Sequence, residues 1–139
     1  MKKQIKVVYK APNQPYEVIN IDNDYSKLSE LVQADFIGRT LLPGIESVDV
    51  IADDSFLMNE KRYNANFIAP EIETIFCGPV IFMGYDPETG DNVGLSDSQI
   101  SYVCNYLDKH QVYAMTLEDA YDVYQAIYIE AKSDLEEEL

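Results

Sequence analysis

The sequence predicts an α+β fold: an antiparallel-leaning sheet of about five strands with helices packed on it, two of them at the C-terminus. Three observations carry this. Short stretches with the two-residue alternation of strands recur through the first two thirds of the chain. Turn-forming clusters, Ala11-Pro12-Asn13-Gln14-Pro15 and Asp86-Pro87-Glu88-Thr89-Gly90-Asp91, separate them. The last third carries two segments that open on helix-capping residues and continue as apolar stripes. At 139 residues the chain is read as a single domain, 1–139, long enough for a sizeable core, with 111–139 an acidic Tyr-rich helical addition.

In chain order, Ile5, Val7 and Tyr9 alternate with polar or smaller residues and mark the first strand. The Pro-rich turn leads into a second strand, Tyr16 to Ile21, so the chain opens with a hairpin. Asp24 is placed to accept bonds from the free N–H groups of a short helix, whose apolar face is Leu28, Leu31 and Val32. Phe36 to Leu42 is ambiguous, and Pro43-Gly44 breaks it. Val48, Val50 and Ala52 alternate with Ser47, Asp49 and Ile51, a strand with one wetter face. Phe56 to Asn59 is a further strand candidate, and Tyr63 to Glu73 reads as an irregular loop. Thr74 to Tyr85 is the most apolar segment and is expected as a central strand. Gly78-Pro79 within it suggests a bulge or an edge position, because Pro cannot donate to the ladder. A short return strand, Asn92 to Leu95, follows the 86–91 turn.

Ser96 with Gln99 three residues on is a capping box, and Ile100, Val103, Cys104 and Leu107 then share a helix face. Thr116 with Asp119 repeats the signal with a carboxylate. The helix after it places Leu117, Ala120, Tyr124, Ile127, Tyr128, Ala131 and Leu135 on one stripe. Glu118, Asp119, Asp122 and Glu130 lie opposite.

Charge is distributed unevenly. Residues 1–70 carry eight Lys/Arg and ten Asp/Glu, a net charge of −2; residues 71–139 carry two and fifteen, a net charge of −13. A field of that strength repels DNA, RNA and anionic membrane and attracts basic surfaces. Hydrophobic residues at 47% argue against disorder. The opening MKKQIKVVYK has charge but no apolar h-region, so it is not read as a signal peptide, and the apolar run Pro79 to Met83 is far short of a membrane span. A cytoplasmic protein with reduced thiols is expected, since Cys77 and Cys104 lack metal-site spacing.

No catalytic motif stands out. His110, the single histidine, follows Asp108-Lys109 at a helix end, where a cation complements the dipole, and is expected to face solvent. A nucleophilic Cys–His pair is disfavoured because both cysteines lie in apolar runs, which raise thiol pKa. Asp86, Glu88 and Asp91 invite a calcium reading, but Gly90 takes a ligand position and Asp91 the glycine position of the calcium loop, so a solvated hairpin turn is favoured. Gly84, Gly90 and Gly94 are too scattered to cradle phosphate. No cofactor or metal is expected. Six of the eleven tyrosines fall in 102–128. Tyr102 and Tyr106 lie opposite the apolar face of their helix, so they either pack on the last helix or form a surface patch suited to an interface.

The motifs Asn59-Glu60-Lys61, Ile75-Phe76-Cys77-Gly78-Pro79-Val80, Gly84-Tyr85-Asp86, Gly90 and Leu95-Ser96-Asp97 resemble domain-of-unknown-function family 3846. The opening strands, Leu28-Ser29-Glu30-Leu31-Val32-Gln33 and Glu46-Ser47-Val48-Asp49-Val50 fit the same order, so the resemblance covers roughly residues 4–108. Phe36 to Gly44 is longer than the family's usual connection, and the helix after Thr116 is an addition. The resemblance implies a phage, plasmid or other mobile-element setting and no chemistry.

The expected function is non-enzymatic binding. Glu118, Asp119, Asp122 and Glu130, with Tyr102 and Tyr106, would dock on a basic surface of a nucleic-acid-handling protein, as a DNA mimic or host-defence inhibitor. No direct nucleic-acid or membrane contact is expected. The alternatives are an accessory or homo-oligomeric module that buries Tyr102 and Tyr106 in a symmetric interface, and an enzyme whose pocket holds a carboxylate of raised pKa.

Overall fold

A computed structural model describes residues 3–53, 64–116 and 118–126. The α+β class holds. Strands β1 (Gln4–Lys10) and β2 (Glu17–Asp22) form the opening hairpin, followed by α1 (Tyr25–Val32), β3 (Ile37–Leu41) and β4 (Val48–Asp53). Then come β5 (Ala65–Ala69), a 3₁₀ turn (Pro70–Ile72), β6 (Thr74–Cys77), β7 (Val80–Tyr85), β8 (Asn92–Val93) and α2 (Asp97–His110). Residues 118–126 are helical and are called α3. The main sheet has six strands in the order β2-β1-β7-β4-β3, with β8 also paired to β7, and β5 and β6 form a separate two-stranded sheet. Every pairing is antiparallel.

Local chemistry sets the element boundaries. Asp24 caps α1 by accepting the Lys27 N–H at 2.7 Å, and Gln33 closes the helix in the left-handed region. Ser96 and Gln99 make the reciprocal capping box of α2. Thr116 and Asp119 do the same for α3: each side chain accepts the other's backbone N–H, at 3.2 and 3.3 Å. Phe36 to Leu42, ambiguous in the sequence, contains β3, which pairs along β4 from Ile37↔Asp53 to Leu41↔Asp49.

Four expectations are corrected. Thr74 to Tyr85 is not one strand. Gly78, at φ 76°, and Pro79 divide it into β6 and β7, which belong to different sheets. Tyr63 to Glu73 is not an irregular loop from Ala65 onward, because β5 and the 3₁₀ turn occupy it. β4 has no wetter face: all six residues are buried, because α1 covers the side of Ile51 and the β5–β6 layer with α2 covers the side of Val48 and Val50. Its Asp49 is compensated by Arg39 of β3 at 3.1 Å. Burial raises the Asp49 pKa and Arg39 opposes that rise. The return strand shortens to Asn92–Val93, after which the Leu95 N–H donates to Lys6 O at 2.8 Å. The expected strand Phe56–Asn59, and Leu117, Ile127, Tyr128, Glu130, Ala131 and Leu135, lie outside the described residues.

Three cores result. Ile5, Val7, Leu28, Val32, Ile81 and Met83 pack between α1 and one face of the main sheet. On the other face Val8, Val50, Phe67, Phe76, Phe82, Val103, Tyr106 and Leu107 form the largest cluster, under α2 and the β5–β6 sheet. Phe67 is its hub, stacked on Phe76 at 4.6 Å and edge-on to Tyr106 at 6.2 Å. The third core joins Ala65, Ile68, Ile75 and Cys77 to Ala120 of α3. A register shift between Ala65 and Phe67 lets one short strand serve two cores: Ala65 and Ile68 face α3, while Phe67 and Ala69 face α2. Asn66, at the irregularity, is buried and donates to Lys10 O at 2.8 Å and to Gly78 O at 2.9 Å.

Lys10, the last residue of β1, is 0% exposed. Its Nζ donates to Ala11 O at 2.8 Å and lies 5.1 Å from the Tyr113 ring centroid. Burial lowers its pKa to about 8. The unfolded chain therefore holds the extra proton between pH 8 and 10.5, so the cost of burying this charge is full below pH 8 and fades as pH rises through that window. Lys10→Met is expected to be more stable than the parent at pH 7, by on the order of 1–3 kcal/mol, with the gap narrowing by about pH 10. Paired urea melts check this, and a constant gap would show that the ammonium is not what burial penalises. Phe67→Ala is expected to cost about 3–5 kcal/mol in the same melts.

Candidate functional site

α2 carries a ladder of rings one turn apart: Tyr102, Tyr106 and His110. Tyr102 stacks on Tyr106 at 6.2 Å, and Tyr106 on His110 at 3.9 Å with 13° between planes. Among the described residues Tyr106 packs in the core under α2 and the β5–β6 sheet, and Tyr102 packs against that core, rather than in the cluster around Ala120 of α3. Tyr106 is also no surface patch, being 6% exposed and built into the largest core. The physical reason is that the β5–β6 sheet approaches α2 from the Tyr106 side and brings Phe67 against its ring. Tyr102 is half-buried, and its hydroxyl donates to Pro43 O at 2.6 Å.

Glu71, from the 3₁₀ turn, completes this arrangement. The Tyr106 hydroxyl donates to Glu71 Oε2 at 2.7 Å. Burial first, then that hydrogen bond and the carboxylate's charge, raise the Tyr106 pKa well above the ordinary phenol value. His110 is half-buried rather than free in solvent. Its Nδ1 lies 2.7 Å from Tyr106 O, and Nε2 lies 3.8 Å from Glu71 Oε1. Tyr102, Tyr106, His110 and Glu71, with Asn105 and Lys109, line a hollow of about 180 Å³. A larger groove of about 530 Å³ is bounded by Lys3, Asn23, Arg39 and the 86–91 turn. There Arg39 already donates to Asp49 and Asn92, and Asn23 donates to Asn92 O at 3.0 Å.

The acidic residues take a different place. On α3, Ala120 is buried, and Val123 and Tyr124 pack with it against β5 and β6. Glu118, Asp119 and Asp122 are exposed, next to Tyr121, which is 47% exposed. Asp119 has a local task as well, since its carboxylate caps α3. Glu130 lies outside the described residues. α3 is tied to the rest by the strap 111–116: Val112 N–H donates to Asn66 O, Ala65 N–H to Met115 O, and Ala114 N–H to Asn13 Oδ1 at 2.6 Å. The structure thus keeps Tyr102 and Tyr106 with α2 and the acidic residues with α3, as two separate features.

The remaining candidates are accounted for locally. Burial pushes the Cys77 thiol up to about 11 and raises that of Cys104, where Asp108 adds to the rise. Both cysteines are free thiols. The Asp86 carboxylate accepts the Glu88 N–H at 2.9 Å, closing its own turn. Among the described residues no group of three His, Cys, Asp or Glu side chains is close enough to share a metal ion, and no helix is long and apolar enough to cross a membrane. Sequence reasoning missed Glu71, whose position beside His110 arises only from tertiary packing, and Lys10, which reads as an ordinary strand-end lysine.

Gly44 faces the ladder's first ring. It has φ 84°, and a Cβ there would collide with the Tyr102 hydroxyl. Gly44→Ala is expected to destabilise the fold by about 1–3 kcal/mol, and adding Tyr102→Phe should recover only the part due to the collision. A thermodynamic cycle of the three variants by urea melts measures that coupling.

No curated protein matches the chain in comparison, and no solved structure matches it either. A family model for a domain of unknown function, DUF3846, matches residues 5–110, from β1 to the last residue of α2. That span is most of the chain and ends where the strap to α3 begins. The chain belongs to the DUF3846 family.

Proposed function

We propose that this protein is a non-enzymatic binding domain that docks on a basic protein surface through the outer side of α3. One observation carries the reading: α3 packs by Ala120, Val123 and Tyr124 and leaves Glu118, Asp119, Asp122 and Tyr121 exposed. This helix lies beyond the family match, in the half of the chain with a net charge of −13. Carboxylates along a helix occupy arginine forks shaped for phosphates, since a guanidinium pairs with both in the same bidentate geometry. Proteins that handle nucleic acids carry such forks. The mobile-element setting implied by the family resemblance points to a host-defence or DNA-processing enzyme as the target, met in the cytoplasm and inhibited by DNA mimicry.

Self-association is the second reading, and a specific feature favours it. β3 is an edge strand among the described residues; Leu41 on it is 59% exposed, and Phe36 just before it is 73% exposed.

The test is capture of partners from a cell carrying the element, at low and at high salt. A variant with Glu118→Gln, Asp119→Asn and Asp122→Asn is run beside the parent. Asn at 119 retains an oxygen for the cap, so the melting temperature should stay nearly constant, within about 0.5 kcal/mol of stability. Partner binding should weaken mainly through slower association and lose much of its salt dependence. Unchanged capture by the variant would refute docking through α3. A concentration-dependent dimer in sedimentation, lost on Leu41→Lys, would favour self-association.

A further inference from the structure

We propose that the hollow between α2 and Glu71 is a seat for one guanidinium group, an arginine side chain of the partner; this rests on the reading that the partner's surface is basic. Hydrogen-bond accounting leads to it. The Tyr102 hydroxyl is committed to Pro43 O and the Tyr106 hydroxyl to Glu71 Oε2. A carbonyl oxygen can only accept, so the 2.7 Å contact between His110 Nδ1 and Tyr106 O places the imidazole proton on Nδ1. In the neutral ring Nε2 then presents a lone pair, and it faces Glu71 Oε1 at 3.8 Å. With the ring neutral both atoms are acceptors, and a donor group from outside, placed between them, satisfies both.

The donor's nature follows from the surroundings. Glu71 supplies a full negative charge, and its other oxygen is fixed by Tyr106, so the carboxylate is oriented in advance. Glu71 belongs to the half of the sequence that carries a net charge of −13, which favours a cationic partner. Tyr102, Tyr106 and His110 give the hollow an aromatic lining, which suits a weakly hydrated guanidinium better than a strongly hydrated ammonium. A volume of about 180 Å³ admits the head of one side chain and excludes a nucleotide or a helix. Lys109, on the rim, is the one lysine or arginine among the described residues that line the hollow. Its exposed side chain opposes the incoming charge, which gives the test its sign.

The probe is N-acetyl-arginine amide, titrated into the full chain and followed by amide and imidazole NMR signals, with N-acetyl-lysine amide and inorganic phosphate in parallel. Saturable shifts confined to Glu71, Asn105, Lys109 and His110, with a millimolar Kd, are expected for the arginine probe, with weaker binding of the lysine probe. Glu71→Gln retains an oxygen for the Tyr106 hydroxyl and should weaken arginine about tenfold. His110→Phe keeps a stacking ring without Nε2 and should weaken it about threefold, so the result does not depend on one variant folding. Lys109→Gln should tighten it about twofold. Absent saturation, indifference to Glu71→Gln, equal binding of lysine, or phosphate binding that Lys109→Gln weakens would overturn the seat. With a captured partner the two readings separate. Binding that survives Glu71→Gln but is lost on neutralising α3 overturns the seat alone. Binding that survives neutralisation of α3 but is lost in Glu71→Gln overturns the α3 docking and supports the seat.

Discussion

Gly78 holds φ 76° and Pro79 has no amide proton to give, so the apolar run from Thr74 to Tyr85 cannot continue as one ladder strand. The chain turns there and passes from the small sheet into the middle of the large one. β7 then sits between β1 and β4 with both faces covered, and β6 is left to pair with β5 in a second layer. That layer supplies the Phe67 and Phe76 rings to the main core. It also turns Ile68 and Ile75 outward, the surface on which α3 is docked. Without the break, α2 would meet the sheet directly and the acidic helix would have no apolar base.

Polar groups buried in this fold mark where its layers are joined. Asn66 donates to carbonyls of β1 and of the 78 turn, so a single amide holds three chain segments in register. Lys10 is covered by the strap that leads to α3, with Tyr113 over its ammonium. Asp49 is buried only because Arg39 on the adjacent strand reaches it. Each of these residues costs desolvation and fixes one arrangement of layers among several that the apolar residues alone would allow.

What the sequence revealed divides along the same line. The caps at Asp24, Ser96–Gln99 and Thr116–Asp119 were legible, because capping is chemistry between residues at most three apart. β1, β2, β4 and the apolar stripe of α2 were legible through their periods. β5 was not, because its polar Asn66, within a five-residue strand flanked by Asn64 and Pro70, looks like loop composition until its partners are known. Tyr106 was assigned to the wrong side of α2, since the stripe of Ile100, Val103 and Leu107 gives no hint of a second layer of strands. In the candidate site, the exposed carboxylates of α3 followed from its periodicity. The Glu71–Tyr106–His110 cluster did not, because thirty-five residues separate Glu71 from Tyr106.

The family match ends at the last residue of α2, and beyond it the described part of α3 is held by the strap and by a small apolar patch around Ala120. A helix joined in this way should open without the rest of the fold. Ala120→Asp places a charge at a fully buried position of that patch, and amide hydrogen exchange reads the consequence residue by residue. The account predicts lost protection in 111–116 and 118–126 and at Ala65, Ile68 and Ile75, with protection at Val7, Ile81 and Val103 unchanged. Loss that spreads through β7 and α2 would contradict it, showing that the acidic helix is part of the core rather than a surface fastened onto it.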